Sequence, residues 1–385
     1  MHVLRRLRPD AGTRLPELRR RARPQTEEDG ISIRHLYVHL PFCAHRCGYC
    51  DFVTATGRDH LHGAYVDALL RELDQEHDGG RVETIFLGGG TPTYTALPEL
   101  LRLLHALPPS RELTVEANPE TLTAELVRRL RDAGVNRVSL GAQTFQPQLL
   151  RVLERRATPA DVERAFGLLR AAGFDNVSLD LIYGIPGQTP AQLAADLEQA
   201  IALDPEHVSA YELEAKPGTR FTIAHGDELE RQAEQMEDYF ERVVATLTGA
   251  GYRWYETANF CRDEKRAEHN LAYWLGRDYL GLGVGAVSTV GGVRRRNTPK
   301  LARYLQGHYD REIELLDEET KARERVMLGL RLDEPLRVGG LRSALDVEGL
   351  ARAERLGLAV DEGETLALTR RGRFLGGGVT AEILA

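Results

Sequence analysis

Apolar positions along the chain alternate between two periods, that of a buried β-strand and that of an amphipathic helix. Short β-branched or apolar runs predict six strands, at residues 34–40, 83–87, 112–117, 136–141, 176–183 and 207–213. The segments between them predict helices, at residues 61–76, 96–107, 121–132, 159–172 and 190–203. Repeated strand–helix units are typical of an α/β fold with a parallel sheet, either open or curled into a barrel.

The pattern changes after the sixth strand. A single long helix is predicted at 228–250, then a strand at 252–257, a glycine-rich stretch at 279–289 and a hairpin at 357–369. The last part predicts a small helical or winged-helix-like domain. The Arg-rich start has no apolar core and predicts a disordered basic extension. We therefore expect four regions, at residues 1–30, 31–215, 216–310 and 311–385.

Composition narrows the function classes. The 385 residues carry a formal net charge of −8, which argues against a nucleic-acid-binding face. The chain has no apolar run of 18 residues, so we do not expect an integral membrane protein. The start of the chain does not resemble a secretion signal, and we expect a cytoplasmic protein, in which clustered cysteines bind metal or do redox work.

Residues that could bind a ligand or take part in chemistry follow the predicted strands. Cys43 follows the first, residues 88–90 (Gly-Gly-Gly) the second, Asn118 the third and Gln143 the fourth, and Asp180 lies late in the fifth. Ligands of parallel α/β folds bind at the carboxyl ends of the strands. The sequence therefore predicts one site at that end of the sheet.

Three of the four cysteines, Cys43, Cys47 and Cys50, lie within eight residues with the spacing Cys-x3-Cys-x2-Cys. Three thiolates can ligate three irons of a [4Fe–4S] cluster. The fourth iron is then open to a chelating ligand such as S-adenosylmethionine (SAM). The alternative is a zinc site with His39 or His45 as fourth ligand, although structural zinc usually uses a second ligand pair, which is missing here. Cys261, far away in sequence, is expected to be an ordinary buried thiol.

The motifs YVHLPFCAHRCGYCDF, LGGGTPT, VEANPE, GAQTF, DLIYGIPGQT and YETANF resemble, as a set, the radical SAM superfamily and within it the HemN/HemW family. That family comprises oxygen-independent coproporphyrinogen III dehydrogenases and haem chaperones, and the resemblance spans about residues 31–375. It implies a partial (β/α)6 barrel with a small C-terminal domain. It also implies a [4Fe–4S] cluster on the three cysteines and SAM contacts from Tyr37, Tyr49, Gly88, Gly89, Gly90, Thr91, Glu116, Gln143, Arg155 and Asp180.

Two features favour the haem chaperones within this family. Asp51 and Phe52 follow the third cysteine, where the dehydrogenases usually carry a further cysteine. Residues 269–274 (HNLAYW) match a motif implicated in haem binding, which implies haem contacts from His269, Tyr273 and Trp274. An imidazole is a good axial ligand of haem iron, and aromatic rings pack on the macrocycle. The resemblance thus implies haem or a porphyrin as ligand, and haem-accepting proteins, including membrane proteins, as partners.

The chain also departs from the family. Glu154 stands where many members carry glycine, and Ala157 and Val287 stand where members often carry histidine. Three alternatives to a chaperone stay open: radical decarboxylation of coproporphyrinogen III, radical SAM methyl transfer, and a zinc- or cluster-stabilised structural role. The sequence therefore leaves open whether the protein is an enzyme.

Overall fold

The computed structural model describes residues 33–77, 80–216 and 219–385, and the extension expected at residues 1–30 lies outside them. The strands, in chain order, are β1 His35–Leu40, β2 Phe42–Cys43, β3 Ala55–Thr56, β4 Thr84–Gly89, β5 Glu112–Ala117, β6 Arg137–Gln143, β7 Val177–Tyr183, β8 His207–Glu212, β9 Arg253–Glu256, β10 Asn259–Cys261, β11 Leu280–Leu282, β12 Val287–Val290, β13 Val293–Arg296, β14 Glu312–Leu315, β15 Leu336–Arg337, β16 Ala359–Asp361 and β17 Thr365–Leu368. The α-helices are α1 His62–Glu76, α2 Leu97–Ala106, α3 Ala124–Asp132, α4 Pro147–Val152, α5 Pro159–Ala171, α6 Pro190–Ala202, α7 Arg220–Ala233, α8 Met236–Gly249, α9 Glu268–Trp274, α10 Leu301–Leu305, α11 Glu318–Gly329, α12 Val347–Arg355, α13 Arg370–Phe374 and α14 Gly376–Ile383. Short 3₁₀ turns span Asp59–Leu61, Pro92–Tyr94, Pro119–Thr121 and Arg342–Ala344.

Six parallel strands form the centre of the molecule, and the α/β prediction is confirmed. Strands β1, β4, β5, β6, β7 and β8 lie side by side in chain order, each within a few residues of its predicted limits. The predicted helices also match, as α1, α2, α3, α5 and α6, and Pro or Thr marks the starts of all but α1. Helices α5 and α6, for example, each begin with a capping box and a Pro in the first turn.

The two faces of this sheet differ in chemistry. Alternate strand residues such as Leu36, Val38 and Ile85 pack in one apolar core with the helices. The intervening residues are polar or aromatic yet buried, as expected where a sheet curls around its own inner face. This inner face carries His35, Thr84, Glu112, Thr114, Arg137, Ser139, Ser178 and His207.

Further strands extend the sheet at both edges. Strand β11 adds to β1 in parallel, and β10 adds to β8 antiparallel, which gives the order β11-β1-β4-β5-β6-β7-β8-β10-β9. The region 216–310 therefore contributes three strands to the central sheet. Strand β14 pairs with β13, so a small sheet crosses the boundary expected at residue 311.

The single helix predicted at 228–250 is wrong. Helix α7 ends at Ala233 and α8 begins at Met236. Gln232 is buried at this break, where its side chain accepts a hydrogen bond from Gly187 N–H and donates to the carbonyl oxygens of Ile185 and Gln188. Contacts with a distant loop therefore accompany the break, which no Gly or Pro marks in the sequence.

The C-terminal part has a core of its own. Strands β15, β17 and β16 form a three-stranded antiparallel sheet, and helices α11, α12 and α14 pack with it around Val326, Leu366 and Ile383. This arrangement is the small helical domain with a hairpin that the sequence predicts. None of the helices in the described parts of the chain is both long and apolar enough to span a membrane.

Candidate cofactor site

The three clustered cysteines lie in one loop at the carboxyl end of β1. Cys43 ends β2 and is buried, while Cys47 and Cys50 are half-buried in a turn in which Cys50 N–H bonds Cys47 O at 3.2 Å. Burial raises the pKa of the Cys43 thiol to about 11, so its thiolate needs a compensating cation, which iron would supply. Within the described residues, no three His, Cys, Asp or Glu side chains gather around a position for a single metal ion. The case for a cluster therefore rests on donor type, spacing and surroundings.

The glycine run at the end of β4 lets this loop approach the sheet. A Cβ on Gly90 would lie 2.6 Å from the backbone of Pro41 and 2.9 Å from Cys43 Sγ, and one on Gly88 would lie 2.9 Å from Glu116 Oε2. Gly89 has φ +113°, a conformation that side chains disfavour. The three glycines thus make room for a cysteine ligand on one side and for a carboxylate on the other.

A chain of polar side chains joins two of the cysteines. Thr91 Oγ1 lies 3.5 Å from Cys43 Sγ and accepts a hydrogen bond of 3.1 Å from Asn118 Nδ2. Asn118 Oδ1 accepts one of 2.9 Å from Arg155, whose Nη1 lies 3.8 Å from Cys47 Sγ. The structure therefore brings Thr91 and Arg155 to the cysteine loop. Asn118 belongs to this chain as well, and its position at a strand end is the signal that the sequence offers for it.

Arg155 faces the site, although its Arg-rich neighbourhood also suits a solvated helix surface. Its guanidinium donates to Gly141 O at 3.0 Å, and its buried Nε has no hydrogen-bond partner among the residues that the structure describes. Burial raises the pKa of Tyr49, and the positive charge of the nearby Arg155 partly offsets this rise. Its ring packs edge-on against Phe221 with 6.5 Å between centroids. One guanidinium thus has an unsatisfied donor beside the cysteines.

Two carboxylates, those of Glu116 and Asp180, lie on the inner face of the sheet. Glu116 Oε2 accepts Gly89 N–H at 3.2 Å, and burial together with the charge of Asp180 raises the pKa of Glu116 to about 8. Asp180 accepts hydrogen bonds from Ser139 at 2.8 and 3.0 Å and from Ser178 at 3.1 Å. Burial also raises the pKa of Asp180. A cationic or hydroxyl-bearing ligand would satisfy both groups.

Gln143 ends β6 in a strained backbone conformation. Its φ is +66°, and the pairing of β6 with β7 is irregular between Gly141 and Gln143. Its Nε2 lies 2.7 Å from the position of a Cβ on Gly141, so the amide folds back over that glycine. Strain of this kind at a strand end is often found at functional sites.

Tyr37 and His39 are paired with each other rather than with the cysteines. Tyr37 Oη lies 3.0 Å from His39 Nδ1, and His39 Nε2 lies 2.8 Å from Val53 O. Burial lowers the pKa of His39 to about 4. Both ring nitrogens of this alternative zinc ligand are thus engaged. His45 Nε2 lies 2.6 Å from Glu154 O and 3.8 Å from Cys47 Sγ.

The HNLAYW motif begins at the amino end of the strands, and Tyr273 extends from there toward the inner face, where burial and the nearby Tyr279, Tyr37 and Glu116 raise its pKa. His269 Nδ1 is 2.8 Å from the hydroxyl of Thr84, the first residue of β4, and its Nε2 is 2.8 Å from Tyr273 Oη. The imidazole is 1% exposed and stacks on Phe86. At about 3.3 Å per strand residue, Thr84 at the start of β4 lies on the order of 20 Å from the cysteine loop. The haem contacts of His269, Tyr273 and Trp274 stay a prediction, and ligation by His269 would require one of these two hydrogen bonds to break.

Comparison with known proteins identifies the family of this chain. The family model described as the Radical SAM superfamily matches residues 37–200, and that of the HemN C-terminal domain matches residues 316–375. The haem chaperone HemW of Bacillus subtilis (strain 168) is 36% identical over 320 residues, which cover 78% of this chain and 83% of that protein. Its counterpart in Mycobacterium tuberculosis (strain H37Rv) is 35% identical over 372 residues, with 91% and 94% covered.

Among solved structures, coproporphyrinogen III oxidase (HemN) from Escherichia coli, a radical SAM enzyme, matches with a TM-score of 0.77 and 25% identity. The match covers 90% of this chain and 89% of the enzyme. The predicted radical SAM fold with its C-terminal domain is therefore confirmed. The chain belongs to the HemN/HemW family of the radical SAM superfamily and, within it, to the HemW-like proteins.

Proposed function

We propose that this protein is a haem chaperone that carries a [4Fe–4S] cluster, binds SAM and haem, and delivers haem to acceptor proteins. The names of its relatives support the haem role. The observation that carries the cluster and SAM role is the chain Thr91–Asn118–Arg155, which joins Cys43 to Cys47 beside the glycine run. These hydrogen-bonded side chains would hold Cys43 and Cys47 at a fixed separation, as a cluster requires of its ligands.

The residues present fit both groups. Cys43, Cys47 and Cys50 would hold three irons of the cluster, and the chemistry it would supply when bound is one-electron reduction of SAM. The unsatisfied Nε of Arg155 suits the methionine carboxylate of SAM, and Glu116, next to Gly89, suits its ammonium group. Asp180 suits the ribose hydroxyls. Around them we propose contacts from Tyr37, Tyr49, Gly88, Gly90, Thr91 and Gln143.

Haem would bind at the other end of the barrel, at His269, Tyr273 and Trp274. The imidazole is neutral, because burial lowers the pKa of His269 to about 3, and a neutral imidazole is the ligating form. It would exchange its contact with Tyr273 for iron. Since His269 is covered by its surroundings, α9 would have to move when haem binds.

A second candidate is oxygen-independent oxidation of coproporphyrinogen III. The match with the E. coli enzyme over nine-tenths of the chain favours it. Phe52, in place of the enzymes' additional cysteine, argues against it. Anaerobic incubation of the reconstituted protein with coproporphyrinogen III, SAM and a reductant distinguishes the two. A chaperone yields no decarboxylated porphyrinogen in this assay and, in a separate titration with haem, gives a Soret band.

The cluster itself is tested by replacing its ligands. After anaerobic reconstitution with iron and sulfide, we expect about four irons per chain in the wild type. Cys43→Ala, Cys47→Ala and Cys50→Ala should each lose most of this iron and the visible absorption. Cys261→Ala is the matched control, because Cys261 is a buried thiol in β10, away from the cysteine loop. Equal iron in the Cys43→Ala and Cys261→Ala proteins would contradict the assignment.

A further inference from the structure

We infer that Ser178, His207 and Tyr255 are positioning residues that hold Asp180 for the ribose of SAM and connect this carboxylate to the start of α9. The inference rests on the SAM role proposed for Asp180. It adds a physical link between the two ends of the barrel, the end where SAM would bind and the end that carries the HNLAYW motif.

The link is a continuous chain of short contacts. Ser178 Oγ lies 3.1 Å from Asp180 Oδ1 and 2.8 Å from His207 Nδ1. His207 Nε2 lies 2.8 Å from Tyr255 Oη, which accepts a hydrogen bond of 3.1 Å from Ala267 N–H. Ala267 is the residue immediately before α9. Four contacts therefore connect the carboxylate to the helix.

The direction of every hydrogen bond in this chain follows from its ends. The Ala267 amide can only donate, and an ionised Asp180 can only accept. The Ser178 hydroxyl hydrogen therefore points to Asp180, and its oxygen accepts from His207 Nδ1–H. Burial and the charge of Arg137 hold the pKa of His207 well below its usual range. The ring is thus neutral, and its bare Nε2 accepts the Tyr255 hydroxyl hydrogen.

Packing leaves these groups little choice of other partners. Ser178 and His207 are fully buried and Tyr255 is 1% exposed, so water does not compete for their hydrogen bonds. Ser178 and His207 also stand opposite each other in the register of β7 and β8, which fixes their separation. Two further hydroxyls are nearby: Ser209 Oγ lies 3.5 Å from Ser178 Oγ, and Ser139, opposite Ser178 in the register, donates to Asp180. Loss of the Tyr255 hydroxyl would leave His207 Nε2 buried without a donor and would loosen the alignment of Ser178.

Removal of the tyrosine hydroxyl tests the link. In the reconstituted protein under anaerobic conditions, titration calorimetry should show that Tyr255→Phe binds SAM about five- to tenfold more weakly, the effect of one hydrogen bond. Binding of a SAM analogue without ribose hydroxyls should be the same in Tyr255→Phe and wild type. Tyr239→Phe is the matched control: its hydroxyl is also buried, but donates to Gln188 O. It should lower thermal stability without changing SAM affinity.

Asp180→Asn separates this inference from the proposed function. If Asp180→Asn weakens SAM binding and adding Tyr255→Phe weakens it no further, both ideas stand. If Asp180→Asn weakens binding but Tyr255→Phe does not, the positioning chain is wrong and the ribose contact remains. If Asp180→Asn has no effect, the ribose contact is wrong and the inference falls with it. Equal losses for SAM and for the analogue in Tyr255→Phe would indicate general damage and would overturn the inference.

Discussion

At the scale of single residues, one departure from the family pattern has a structural explanation: Glu154 in place of glycine. It has φ +56°, in the left-handed region where glycine is favoured, and many family members carry glycine there. Its carbonyl oxygen lies 2.6 Å from His45 Nε2 in the cysteine loop, and its carboxylate pairs with Arg220 at 2.5 Å. The chain thus keeps the glycine conformation with a residue that also contacts α7.

Two substitutions at Glu154 separate backbone strain from the ion pair. Glu154→Gly and Glu154→Ala both remove the contact with Arg220, but only glycine relieves the left-handed strain. We expect the Gly variant to be more stable than the Ala variant by about 1 kcal/mol, measured by urea unfolding. Equal stability of the two variants would mean that the backbone at this position is not strained.

The sequence could predict candidate site residues at or near strand ends, where parallel strands bring side chains together. The cysteines follow β1, the glycine run ends β4 and Glu116 lies near the end of β5, whereas Asp180 lies in the middle of β7. Asn118 was noted at a strand end without a role, and His207 and Tyr255 were missed altogether. Their contacts join strands that are distant in sequence, and a histidine or tyrosine within a strand has no local signature of its partners.

At the scale of elements, α9 is attached to the barrel through its first turn. The two carboxylate oxygens of Glu112 accept the N–H groups of Glu268 and His269, each at 3.1 Å. These amides are among those that a helix leaves without internal partners, so a carboxylate there stabilises the helix start. Glu112 itself is buried in β5. Glu112, together with Thr84 and Tyr255, therefore docks this seven-residue helix on the central sheet.

Glu112→Gln should weaken that docking, because an amide offers one acceptor and no charge. We expect the free energy of local opening of α9, measured by amide hydrogen exchange, to fall by about 1–3 kcal/mol. Exchange in the cysteine loop should be unchanged. Asp161→Asn, at the capping box of α5, is the control and should affect α5 alone. If α9 must move for haem to reach His269, Glu112→Gln should also bind haem more tightly. Unchanged haem affinity with a loosened α9 would argue against His269 as ligand.

Element boundaries were predictable where local chemistry marks them. Thr-Pro at the starts of α5 and α6 is such a mark, and both starts agree with the structure. The break between α7 and α8 has none, because it coincides with Gln232 bonding to the loop at 185–188. Tertiary contacts of this kind outweigh local helix preference.

At the scale of the whole molecule, Arg331 connects three parts of the fold. It pairs with the fully buried Glu256 of β9, with Nη2 at 2.7 Å, and its guanidinium lies 4.4 Å from the ring centroid of Trp274 in α9. Glu256 also forms an isolated antiparallel β-bridge with Leu332, the residue after Arg331, so the two segments pair through their backbones as well. The edge of the central sheet, the HNLAYW motif and the start of the C-terminal part therefore meet at one side chain.

Removal of this arginine should destabilise the molecule more than loss of an ordinary surface ion pair. Arg331→Leu leaves the Glu256 carboxylate buried, with hydrogen bonds from Asn259 and the Ala258 amide and with the charge of Arg373 nearby, and should cost about 3 kcal/mol in chemical unfolding. Arg352→Leu, which removes the exposed pair with Glu382, is the control and should cost less than about 1 kcal/mol. Adding Glu256→Leu to Arg331→Leu should recover part of the loss, because the uncompensated buried charge is then gone. If the double variant is as unstable as the sum of the two single variants, the charge pair is not what joins these parts, and packing against Trp274 would be the stronger contribution.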